Sequence, residues 1–62
     1  MAHFKVFKNP SNETILVNID NITQVYANGD DECKIWFIQT DDWLRVKGTL
    51  DEVYFNISGK RL

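Results

Sequence analysis

Few residues in this chain are of types that do covalent or metal chemistry, and they are scattered. His3 is the single histidine and Cys33 the single cysteine. They lie far apart in sequence with no motif around either, so nothing supports a Cys–His pairing. Alternation places Cys33 on the inward side of its strand, where a lone thiol acts as a small apolar filler. His3 reads as an exposed residue near the terminus. Ser11 falls in a turn and Ser58 at a helix end. Asp30-Asp31-Glu32 and Asp41-Asp42 gather carboxylates, but neither has the spacing of a calcium loop. On a simple meander these two turns lie at opposite ends of the sheet, so they read as solvated. The expectation is no enzyme activity, no catalytic residue, no metal site and no cofactor.

A different chemistry could come from aromatic rings. Trp36 and Trp43, flanked by Lys5, Lys34, Arg45 and Lys47, could stack unpaired bases. Net charge argues against this. Seven Lys or Arg face nine Asp or Glu, giving −2 and a pI near 5.1. An acidic chain is a poor general nucleic-acid ligand, and no Gly-rich or RNP-like motif is present.

Length and composition narrow the class further. Sixty-two residues leave room for one domain, spanning 1–62 with an ordered core over about 3–58. Hydrophobic residues at 44 % and aromatics at 13 % are too many for a disordered chain. No apolar run approaches the length of a membrane span. A single cysteine cannot form an internal disulfide and fits a reducing, cytoplasmic setting. Met1-Ala2-His3-Phe4-Lys5 contains no apolar signal-peptide region. Three Asn-x-Ser/Thr sequons, beginning at Asn12, Asn21 and Asn56, therefore read as chance.

The pattern along the chain predicts five strands and then one helix. His3 to Lys8 alternates and leads into the turn Asn9-Pro10-Ser11-Asn12. Glu13 to Asn18 is rich in β-branched residues. After a bend at Ile19-Asp20-Asn21, Ile22 to Ala27 forms a third strand. Asn28-Gly29-Asp30-Asp31 is a strong turn signal. Glu32 to Thr40 contains Ile35-Trp36-Phe37-Ile38, followed by a turn at Asp41-Asp42 and a strand over Trp43 to Lys47. Gly48 then breaks the period. Thr49-Leu50-Asp51-Glu52 spells a capping box. Leu50, Val53, Tyr54 and Ile57 follow helical spacing, and Gly59 is a plausible C-terminal cap. The expected fold is α+β: a five-stranded antiparallel meander, flat or curled, with a short C-terminal helix.

Such a helix covers only part of one sheet face. One alternation set holds Phe4, Val6, Ile15, Val17, Ile35, Phe37, Leu44 and Val46 and suits the core. The opposite set includes Phe7, Leu16, Trp36, Ile38 and Trp43. Left in water, those side chains form an apolar patch of the kind that marks a contact surface. Phe55, off the main stripe of the helix, joins them as a candidate contact. A chain this small also lacks a metal or disulfide staple, which leaves oligomerisation to supplement its core. The functional expectation is a non-enzymatic interaction module that self-associates, as a dimer, through Phe7, Leu16, Trp36, Ile38, Trp43 and Phe55. Two alternatives remain: an inhibitor from a phage or mobile element that binds a host protein, and a single-stranded nucleic-acid binder.

Two segments carry a family resemblance. "ILVNIDNITQV" (Ile15 to Val25) and "WLRVKGTLDEVYFNI" (Trp43 to Ile57) resemble small bacterial flagella-associated proteins of the FlbD/SwrD type. That family typically has Asn-Pro where this chain has Asn18-Ile19, and lacks the Trp36 and Trp43 pair. The resemblance implies a stand-alone cytoplasmic protein with a β-meander and a helix. It implies no catalytic residue.

Overall fold

The turn after the first strand sets much of the architecture. In the computed structural model, which describes residues 2–38 and 42–62, β1 (Phe4–Lys8) and β2 (Thr14–Asn18) form an antiparallel hairpin. Asn9 closes the connection twice: its carbonyl accepts from Asn12 N–H (2.8 Å), and its side-chain oxygen accepts from Glu13 N–H (2.9 Å). Asn12 adopts φ 66°, a left-handed conformation that asparagine tolerates better than most residues. The resulting register sets Phe7 opposite Ile15 and Val6 opposite Leu16.

Facing residues in an antiparallel pair share a sheet face. Phe7 therefore joins Ile15 and Val17 on the inside, and Phe7 is only 5 % exposed. Phe4 and Val6 point outward, 58 % and 55 % exposed, alongside Leu16. This corrects the sequence reading of β1, which placed Phe4 and Val6 inside and Phe7 on the contact surface. Alternation offered two faces, and the turn selected the other one.

A 3-10 turn at Ile19–Asn21, capped by the Asn18 side chain, leads into β3 (Ile22–Ala27). β3 pairs antiparallel with β4 (Glu32–Phe37), and β4 with β5 (Trp43–Lys47). A register shift between Ile22 and Gln24 accommodates one extra residue, which lets both Ile22 and Val25 pack inward. The expected end of β4 at Gln39-Thr40 and the turn residue Asp41 lie outside the described residues. The strands divide into a two-stranded and a three-stranded sheet. The α+β class holds, but the single five-stranded meander gives way to two sheets whose inner faces share one core.

That core comprises Phe7, Val17, Cys33, Ile35, Val46 and Val53. Val53 comes from α1 (Leu50–Ser58), where the expected capping box is complete. Thr49 Oγ1 accepts from Glu52 N–H (3.2 Å), and Glu52 Oε1 accepts from Thr49 N–H (2.8 Å). Gly59 ends the helix at φ 77°, its N–H donating to Phe55 C=O (2.7 Å). Leu50 and Ile57 pack on the core with Val53, while Tyr54, expected on the same stripe, is 36 % exposed. Gly48 makes the corner between β5 and α1 at φ 123°, a conformation L side chains rarely adopt. No described helix is long and apolar enough to cross a membrane.

Candidate interaction surfaces

The six residues expected to form one contact face do not lie together. Phe7 is in the core. Leu16 lies on the outer face of the hairpin, and Trp36 and Trp43 on the outer face of the three-stranded sheet. Ile38 follows the end of β4 and is 45 % exposed; Phe55 is on the helix, with the Arg61 guanidinium 5.2 Å from its ring centroid. Because the two sheets turn their inner faces to a shared core, their outer faces are separate surfaces.

The hairpin face is a short ladder of three facing pairs: Phe4–Asn18, Val6–Leu16 and Lys8–Thr14. Its hydrogen-bond phase follows from the flanking bonds, Ile19 N–H to His3 C=O (2.9 Å) and Asn9 N–H to Glu13 C=O (3.0 Å). Odd-numbered pairs therefore exchange backbone bonds, and Val6–Leu16 is a non-hydrogen-bonded pair with closely approaching side chains. Lys8 Nζ donates to Thr14 Oγ1 (2.8 Å) at one end of the ladder. The centre is apolar and open, with Leu16 66 % exposed. Sequence reasoning missed Phe4 and Val6 here. The available signal was the length of the connection at 9–13, which pairs even-numbered with even-numbered residues.

The outer face of the three-stranded sheet is built differently. One lateral row reads Gln24–Trp36–Trp43 and the next Tyr26–Lys34–Arg45. The indole centroids are 6.3 Å apart with planes tilted by 45°. Lys34 Nζ sits 4.5 Å from the centroid of the Trp43 ring, a cation–π contact. Arg45 forks onto Glu32, with Nε to Oε1 at 3.1 Å and Nη2 to Oε2 at 3.3 Å. These hydrogen bonds hold the Glu32 carboxyl below its ordinary pKa, against the opposing effect of desolvation. Apolar area is present on this face, but charged side chains interleave with it.

A third feature is the seam between the sheets. A cleft of about 350 Å³ opens beside β1, the end of β5 and α1, with Lys8 and Lys47 on its lining. Asn56 Nδ2 crosses from the helix to donate to Val6 C=O (2.8 Å). That bond supplies a side-chain partner to a strand-edge carbonyl that points away from β2.

The residues considered for chemistry sit apart. His3 Nδ1 contacts Asp20 at the surface (2.9 Å). Cys33 is fully buried, its Sγ 3.5 Å from Gly48 C=O. Burial pushes the thiol pKa up, and the Glu52 carboxylate adds to the effect. A buried thiol of raised pKa is a poor nucleophile. Among the described residues no three His, Cys, Asp or Glu side chains gather as a metal site. In comparisons with protein-family models, curated proteins and solved structures, nothing matches this chain.

Proposed function

We propose that the chain is a non-catalytic interaction module that self-associates as a dimer through the outer face of the β1–β2 hairpin. The observation that carries this reading is the open apolar centre formed by Phe4, Val6 and Leu16, each more than half exposed. Loose packing does not account for it. The molecule exposes 4,439 Å², close to the roughly 4,200 Å² expected of a folded monomer of its mass. Its surface is ordinary in extent, and three of its exposed large apolar side chains share one ladder.

The layout suits a two-fold contact. An isologous interface needs one self-complementary patch. Here an apolar centre is flanked by Lys8–Thr14 at one end and Asn18 at the other, the core-and-rim pattern of protein interfaces. A standard interface of about 800 Å² per partner would take roughly a fifth of this surface. A flagellar role, implied by resemblance alone, forms no part of this reading.

Sedimentation equilibrium across the micromolar range tests the proposal. The expected result is a mass rising above 7.3 kDa with concentration, and a return to monomer on Leu16→Lys. A monomer at every concentration overturns self-association. Dissociation by Trp43→Lys but not by Leu16→Lys overturns the choice of face.

A further inference from the structure

We infer that the outer surface of β3–β4–β5 binds single-stranded nucleic acid, stacking bases on Trp43 and Trp36 and drawing phosphates to Lys34 and Lys47.

Two observations converge on this ligand. The first is the state of the rings. With a 45° tilt and 6.3 Å between centroids, neither indole is sandwiched flat against the other. Trp43 is 43 % exposed, and Tyr26 in the adjacent row is 50 % exposed. The second is charge segregation. Lys34, Arg45 and Lys47 lie on this face, and the pairing register places one carboxylate among them, Glu32, which Arg45 already engages. Lys34 Nζ rests over the Trp43 ring and Lys47 Nζ donates to the Asn12 side-chain oxygen, at 3.4 Å. In a chain of net charge −2, the outward positions of β4 and β5 thus carry three basic side chains and one acidic one, on the face that holds both tryptophans.

The pairing of features selects among ligands. An acidic peptide brings charge without flat rings throughout, and a neutral sugar brings a flat surface without charge. A nucleotide supplies a π-face and a phosphate in each repeat. The strand must be single, because bases in a duplex are stacked on one another and closed to side-chain rings. Lys34 is placed to exchange partners. Its ammonium now rests over the Trp43 ring; an arriving base takes the ring face and the neighbouring phosphate takes the ammonium. Net acidity elsewhere in the chain keeps this a local, weak and salt-sensitive interaction.

The test is a tryptophan-fluorescence titration of the intact protein with a short uridine oligonucleotide at low salt. Saturable quenching is expected. The logarithm of the binding constant should fall with the logarithm of salt at a slope near −1.4, about −0.7 for each of two phosphates. Lys34→Gln should reduce that slope by about 0.7. Trp43→Ala should weaken binding by about 5- to 150-fold, the range for loss of one stacked base. Leu16→Lys should leave binding unchanged, which separates this site from self-association on the hairpin. The proposal is overturned by absence of quenching, or by equal binding of Trp43→Ala with a native circular-dichroism spectrum. Equally effective competition by duplex or heparin also overturns it, by revealing a nonspecific polyanion surface.

Discussion

The two outer sheet faces carry comparable apolar side chains and treat them in opposite ways. On the hairpin, Phe4, Val6 and Leu16 are each more than half exposed. On the three-stranded sheet, Lys34 lies over Trp43 and Arg45 binds Glu32 beside it. Apolar content alone therefore does not identify a self-association face. What matters is whether the neighbouring positions supply long amphipathic side chains that can shield the rings. The number of strands contributes as well. A third strand adds another row of side chains to each face, while a two-stranded hairpin has none to add and is marginal unless it docks on something. The hairpin docks inward through Phe7 and Val17 and leaves its other face open.

The strongest way to break this contrast is to test which face of β1 points inward. Phe7→Ala should cost about 3–5 kcal/mol, the range for a buried aromatic, enough to unfold much of a chain this small. Val6→Ala should cost under about 1 kcal/mol, as for an exposed side chain. Urea denaturation of both variants measures the difference. A Val6→Ala cost equal to that of Phe7→Ala would reverse the register and remove the proposed contact face.

A smaller effect sharpens the distinction between the sheets. Asn56→Ala removes the bond from the helix to Val6 C=O and should cost about 1 kcal/mol. Native-state hydrogen exchange should then show β1 and β2 amides losing protection while β3 to β5 retain theirs. Uniform loss across both sheets would mean that the hairpin does not open separately.

The smallest effect concerns the charged cover of the three-stranded face. Glu32 has a folded pKa below the ordinary 4.5, so its contribution to stability is present above that value. It disappears as pH falls through the depressed folded value. The stability difference between the wild type and Glu32→Gln should therefore be constant near neutrality and shrink in acid. Thermal melts between pH 7 and pH 2 would follow it, and a difference independent of pH would exclude the Arg45–Glu32 pair as its source.

Much of the local structure was legible in the residues. Thr49 and Glu52 announce the helix start and Gly59 its end, because capping depends on neighbours a few positions apart. Asn28-Gly29 marks the β3–β4 turn, and Ile35 with Val46 identifies the inward side of β4 and β5. The candidate surfaces were legible only as a set of apolar residues, with Leu16, Trp36 and Trp43 correctly outward and Phe7 not.

Sequence by itself determined the succession of strands, turns and the capped helix, since each follows from interactions within a few residues. Tertiary structure decided that the strands form two sheets, that Phe7 rather than Val6 enters the core, and that Leu16 and the tryptophans occupy separate faces. The physical reason is the two-residue period of a strand. Alternation supplies two faces without naming the inner one, and a single left-handed Asn12 or one extra residue between Ile22 and Gln24 exchanges them.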